Sequence, residues 1–265
     1  MPTPYYKQHW IEIDADRLAV YDTLLRYEPR MEPLLAPLDL QPGVFVLDVG
    51  SGPGSTTMEL GRRVGPSGTL VGVDINAEFV ERAGAKAQAA GLHQVSFQQA
   101  DFPPLPFESQ TFDRVFCKNV LEYVDSAEAT VQDIARATKP GGLMVLVDSD
   151  WEMLAMDMSD EALHDRRMSA IKTTAMRGPR VDRKLRGLCI VANLQDIKVK
   201  IFVNPDLKGR AIQMLENNWY QYALDSGKVT RAGSGAWRDD IRARLRNDVY
   251  CFCLPQFVLS ARKAD

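Results

Sequence analysis

Asp48, Gly50, Gly52 and Gly54 alternate directly after the apolar run Val44-Phe45-Val46-Leu47, and together they could hold a cation against bare backbone. Residues 44 to 49 are apolar and mostly β-branched apart from one acid, the pattern of a buried strand. Glycine tolerates positive φ and lets a ligand lie directly on the chain, while Ser55-Thr56-Thr57 offers hydroxyls to cap a following helix. A dinucleotide turn reads G-x-G-x-x-G and faces a pyrophosphate. Here the spacing is G-x-G-x-G, and an acid two residues ahead of the first glycine is a poor neighbour for a diphosphate but a good one for an amine or other cation. A positively charged ligand is expected at the end of this strand.

Further acids stand at the ends of further strand patterns. Thr69 to Asp74 reads as a second strand after a helix-like Met58 to Val64, and a carboxylate at Asp74 can accept both hydroxyls of a ribose. A third strand, Val95 to Ala100, ends at Asp101-Phe102. A fourth, Phe112 to Cys117, runs into Lys118-Asn119-Val120-Leu121-Glu122-Tyr123, and Lys139-Pro140-Gly141-Gly142 forms a turn before a fifth, Leu143 to Val147. Five such elements in this order resemble motifs I to IV and the K-P-G-G turn of the class I S-adenosylmethionine-dependent methyltransferases, in particular the small-molecule group that includes quinone and polyketide tailoring enzymes.

That resemblance implies an α/β fold: a seven-stranded Rossmann-like methyltransferase sheet with helices on both faces, an N-terminal helical cap and an inserted lid after strand five. It implies S-adenosyl-L-methionine as cofactor and S-adenosyl-L-homocysteine as product. The matching positions for cofactor binding are Asp48, Gly50, Ser51, Gly52, Gly54, Asp74, Ile75, Asp101, Phe102 and Asn119, with Asp101 taking the exocyclic amine of adenine. The expected activity is methyl transfer to a mainly apolar small molecule, with O- or C-methylation favoured. Such a transfer is an in-line displacement that needs alignment and exclusion of water more than a protein nucleophile. The alternative is the same fold and cofactor without transfer, as in a natural-product cyclase or a cofactor-retaining binding protein.

A base for the acceptor's proton would come from His9, His164 or Tyr123, since His93 falls in a turn on the far side of the sheet. Substrate contacts are expected from Tyr5, Tyr6, Trp151, Met153 and Met156: the first two lie in the cap, and the others leave the carboxyl edge of strand five. Residues 151 to 187 carry five methionines, suited either to an adaptable apolar cavity or to the lid's own core. The chain has no N-P-P-Y or D-P-P-Y after strand four, which argues against methylation of a base or amide nitrogen, and no residue set for a magnesium or other metal site.

The elements that must position these residues fit one α/β domain with additions: a cap at 1–40, a cofactor-binding core at 41–150, a lid at 151–195 and a C-terminal part of the core with a helical insertion at 196–265. A length of 265 residues buries such a core comfortably. Helical spacing runs through residues 14 to 38 until Pro29 and Pro33, and again over 206 to 226 and 236 to 247. Residues 198 to 203 and 250 to 261 read as strands, the second interrupted by Pro255. A net charge of −3 and a charged fraction of 25% give no general attraction to nucleic acid, so a small-molecule partner is expected, with a homo-oligomer left open. The start lacks a signal-peptide pattern and no apolar run spans a bilayer, so a cytoplasmic protein without membrane insertion is expected. Cys117, Cys189, Cys251 and Cys253 lack metal or disulfide spacing and are expected to be buried thiols.

Overall fold

The computed structural model describes residues 3–264; residues 1, 2 and 265, at the ends of the expected cap and C-terminal part, lie outside it. Nine strands form among the described residues: β1 Phe45–Val49, β2 Thr69–Asp74, β3 Val95–Gln99, β4 Phe112–Lys118, β5 Thr138–Ser149, β6 Ala155–Met156, β7 Leu194–Phe202, β8 Phe252–Cys253 and β9 Gln256–Lys263. Seven of them make one sheet in the order β3-β2-β1-β4-β5-β9-β7, and β6 pairs with β8 apart from it. The first five strands run parallel, while β9 is antiparallel to both β5 and β7. Parallel strands need both faces covered, which explains their nearly continuous apolar sequence. Val46, Phe116 and Val145 join one core cluster with Leu34, Leu38 and Leu60, while Leu47, Val115 and Leu146 join another with Val131, Ile134 and Leu185.

The helices are α1 Tyr5–Ile11, α2 Ala15–Leu24, α3 Glu32–Leu35, α4 Ser55–Val64, α5 Ala77–Ala89, α6 Ala127–Ala137, α7 Glu161–Thr174, α8 Leu185–Val191, α9 Ile212–Met214, α10 Tyr220–Asp225 and α11 Arg231–Arg246. Chain order reverses between β1 and β4, which neighbour each other in the sheet, so the crevice at their carboxyl ends is the ligand position of an open α/β sheet. The cap is fastened over it by Asn76. That residue caps α5 by accepting from Phe79 N at 2.8 Å, while its amide nitrogen donates to Trp10 O at 2.9 Å and Ile11 O at 3.2 Å.

Several local expectations change. Ser55, Thr56 and Thr57 do not cap α4: Gly54 is its N-cap at φ +83°, Ser55 Oγ accepts from Tyr27 N, and Thr57 Oγ1 donates to Asp48. The K-P-G-G stretch falls within β5 as an irregularity, where the register with β4 shifts between Phe112 and Arg114. Residues 206–211 are not helical, because the Asp206 carboxylate accepts from Lys208 N at 3.0 Å and Ala211 N at 2.8 Å, a side-chain turn that competes with helix. A π-helical turn, Leu215–Trp219, joins α9 to α10. Helix α11 starts at Arg231, earlier than its periodicity suggests, because Thr230 caps it across a glycine-rich first turn. The lid contains a strand, β6, which the sequence pattern does not reveal. Cys117 and Cys189 are buried, but Cys251 and Cys253 are only half-buried beside that small ribbon.

The lid has its own core. Trp151, Met158, Met168 and Met176 pack with Leu215, Trp219, Tyr222, Trp237, Ile241 and Phe252, so residues near the C-terminus complete what the segment after β5 begins. Arg167 is fully buried in this layer, with its guanidinium 4.2 Å from the Trp237 ring centroid. It donates to Ser234 Oγ at 2.6 Å and to Trp219 O at 3.2 Å, which holds the π-helical turn against α7.

Candidate active site

The alternating glycines fold into a turn with three positive φ angles, and each glycine has a different reason to lack a side chain. At Gly50 a Cβ would lie 2.2 Å from Val120 Cγ2. At Gly54 it would lie 2.6 Å from Ala83 Cβ and 2.8 Å from Phe97 Cζ, so this residue serves helix-on-sheet packing and does not line the cavity. At Gly52 (φ +53°) a Cβ would have only Leu25 Cδ1 within 4 Å, at 3.4 Å, and the residue faces the cavity. Beside it the Ser51 hydroxyl is buried without a partner.

Two buried carboxyls flank this turn. Asp48 accepts from Thr57 Oγ1 at 2.6 Å, and Asp74 straps the loops after β1 and β2 together by accepting from Gly52 N at 2.8 Å and Asn76 N at 2.9 Å. Burial pushes both up to about 6, against the pull of those hydrogen bonds; for Asp48 the neighbouring Asp74 adds to the rise. Two carboxyls so far from water are sites where a cation or a polar hydrogen would be welcome.

One cavity gathers most of the expected cofactor residues: Asp48, Gly50, Ser51, Gly52, Asp74, Ile75, Asp101, Phe102 and Asn119. Asp101 is held at the same time by Lys7 Nζ, 2.8 Å away on α1. Asn119 adopts φ +54°, and its Oδ1 accepts from Gln256 Nε2 at 3.0 Å and Ser149 Oγ at 3.2 Å, which ties the β4 loop to β5 and β9. The same cavity continues into an aromatic wall of Trp10, Tyr21, Tyr123, Trp151, Trp219 and Tyr222. Trp10 lies 5.0 Å from Tyr123 and Trp151 lies 5.0 Å from Trp219, ring centre to ring centre.

Other expected residues stand elsewhere. His164, on α7, accepts from Trp237 Nε1 at 3.3 Å within the lid and does not line the cavity. His9 stands one ring behind the wall, against Tyr123 and Tyr222; its Nδ1 donates to Tyr5 O at 2.7 Å, its Nε2 is buried without a partner, and burial lowers its pKa to about 4. Tyr5 bonds Asp225 and packs on the lid core, and Tyr6 bonds Asp125 at 2.6 Å near the surface. Met153 is 43% exposed and Met156 packs on the lid core, so neither lines the cavity. Tyr123 and Trp151 do line it.

Lys118, Glu122, Tyr21, Met214, Asn218, Trp219 and Tyr222 also line the cavity, and none of these was singled out for the site from sequence. A signal existed for part of this set. The aromatic cluster Trp219-Tyr220-Tyr222 in a helical pattern, and the unusual Lys and Glu bracketing an apolar loop after β4, both stood out from their surroundings.

A family model described as a methyltransferase domain matches residues 40–217. Sterol 24-C-methyltransferase of Gibberella zeae is 33% identical over 172 residues, covering 63% of this chain and 44% of that protein. Demethylmenaquinone methyltransferase of Lactobacillus johnsonii is 32% identical over 113 residues, covering 42% and 46%. The match thus spans about half the length of these curated relatives. Among solved structures, the 4+2 cyclase SpnF superposes with a TM-score of 0.62 at 17% identity, covering 100% of this chain and 98% of that one, which shows a shared fold.

Proposed function

The chain belongs to the methyltransferase domain family, and from that premise we propose that it transfers a methyl group from S-adenosylmethionine to a largely apolar small molecule, with oxygen or carbon as the favoured acceptor atom. The single observation that carries this reading is one cavity lined both by a glycine turn with buried carboxyls and by a set of aromatic side chains.

The residues present fit such a cofactor: Gly52 offers a cradle that a side chain would fill, and the orphaned Ser51 hydroxyl and the two buried carboxyls offer polar partners. When bound, S-adenosylmethionine supplies an electrophilic methyl group on a positively charged sulfur. Asp48 would favour that positive charge, Asp74 would accept from ribose hydroxyls, and Asp101 with Phe102 would hold the base. Asp74 already accepts two backbone hydrogen bonds, and an ionised carboxylate has further lone pairs to give. The aromatic wall would align a flat acceptor and keep water out, which is where much of the rate of an in-line displacement arises. Similarity to the sterol and demethylmenaquinone enzymes supports an apolar acceptor. The division into a cap at 1–40, a core at 41–150, a lid at 151–195 and a C-terminal part at 196–265 is proposed as well, with side chains from 211–252 supporting the lid. No helix among the described residues is long and apolar enough to cross a membrane.

Incubation with methyl-labelled S-adenosylmethionine and a metabolite extract tests the function. Label in an organic-soluble product, with matching S-adenosylhomocysteine, supports transfer. Binding of the cofactor with no labelled product from any fraction would favour the cyclase or binding-protein alternative.

A further inference from the structure

The cavity carries a buried carboxyl that the cofactor contacts do not use. Glu122 sits in the turn after β4, lines the cavity and is only 1% exposed. Its orientation is fixed from three sides. Its Oε2 accepts from the Trp151 indole Nε1, its carbonyl oxygen accepts from Arg177 N at 2.9 Å and Gly178 N at 3.0 Å, and the preceding Leu121 N donates to Asp148 Oδ2 at 3.1 Å. Its neighbours Tyr123 and Trp151 line the same cavity, as do Lys118 at the end of β4 and Asn119 in the loop that follows. The carboxyl thus lines the one cavity that the glycine turn and the aromatic side chains share.

Resting on the methyl-transfer reading of the site, we propose that Glu122 is the catalytic residue that takes the proton from a hydroxyl on a flat aromatic or enolic acceptor. The acceptor's O–H bond breaks and its proton goes to Oε1 of Glu122. The oxygen's electron pair forms the new O–C bond while the C–S bond breaks and its pair stays on sulfur. Glu122 returns the proton to water as the product leaves.

The surroundings suit this task. Burial raises the Glu122 carboxyl to about 8; the Trp151 N–H, the Tyr123 side chain and Lys118 pull it down, while Asp182 pushes it further up. Once ionised, such a carboxylate is a stronger base than an exposed one and better matched to a phenolic proton. His9, the other base near the wall, packs behind Tyr123 and Tyr222 and does not line the cavity.

The test uses the full chain and 2-naphthol as a fluorescent hydroxyl probe, titrated in the presence of S-adenosylhomocysteine at roughly pH 6.5 and pH 8.5. Wild type should bind the probe about three- to tenfold more tightly at the higher pH, when the ionised carboxylate can accept its proton. Glu122→Gln preserves an oxygen for Trp151 but cannot titrate, so its affinity should not change with pH; Glu122→Asp should restore the rise. A rise that persists in Glu122→Gln, or no saturable binding of 2-naphthol up to its solubility limit, would overturn the proposal. Failure to bind S-adenosylhomocysteine would instead strike the methyl-transfer reading, and the naphthol titration without it would still report on Glu122.

Discussion

Replacing Asp74 by Ala should weaken the cofactor and change how the stability of the ligand-free protein depends on pH. The carboxyl accepts from Gly52 N at 2.8 Å and Asn76 N at 2.9 Å, so truncation strips two backbone donors of their partner, at about 1 kcal/mol each. Against that, burial holds the group at about 6 instead of 3.8. That difference makes ionisation in the folded chain roughly 3 kcal/mol less favourable than in the unfolded one. A carboxyl raised on folding contributes stability that is complete below about pH 4 and lost as pH rises through about 6. The mutant should therefore be less stable than wild type by about 2 kcal/mol at pH 4, and close to it or slightly more stable at pH 8. Thermal denaturation of both proteins at the two pH values measures this. Calorimetry at pH 7 should show S-adenosylhomocysteine bound about 1.5 to 3 kcal/mol more weakly, roughly 10- to 150-fold. A stability difference that stays constant from pH 4 to 8 would refute the buried-carboxyl account, and unchanged affinity would refute the ribose assignment.

Gly52→Val should abolish cofactor binding and also lower the ligand-free thermal midpoint, because a β-branched residue at φ +53° is strained by about 1 to 3 kcal/mol; normal binding would show that the turn does not touch the ligand. Gly54→Ala should destabilise the fold through its contact with Ala83 yet leave the affinity of folded protein for S-adenosylhomocysteine nearly unchanged, and a selective loss of affinity would return Gly54 to the ligand site. Met153→Gln should leave acceptor kinetics as they are, whereas Met214→Gln, on the cavity wall, should raise the acceptor's KM; the reverse pattern would mean that the acceptor binds outside the aromatic wall.

The parallel half of the fold was legible because its signals are local. Thr69–Asp74 forms as read, with Asp74 as its last residue, where the apolar run stops. The glycine-turn part of the cavity was read from the same segments, since Asp48 and Asp74 lie on β1 and β2 and Gly52 lies in the loop after β1. Gly54 shows the limit of spacing. It shares the alternation of Gly50 and Gly52, but its Cβ direction meets α5 and β3, a contact made by chain more than 20 residues away. The aromatic lining was hidden for the same reason, because it joins Trp10 and Tyr21 from the cap to Trp219 and Tyr222 from a π-helical turn and the helix after it. Methionine enrichment after strand five pointed to an apolar layer, and Met158, Met168 and Met176 do form one, but as the lid's interior. Residue type alone does not say which side of a lid a side chain faces.

Titration of S-adenosylhomocysteine into the purified protein, with NAD as the comparison ligand, tests the central claim most directly. One-to-one binding of S-adenosylhomocysteine that weakens in Asp74→Ala, with no binding of NAD, is the predicted result. No binding of S-adenosylhomocysteine by folded protein, or binding that Asp74→Ala leaves unchanged, would contradict the assignment of the glycine turn and its two buried carboxyls to the cofactor.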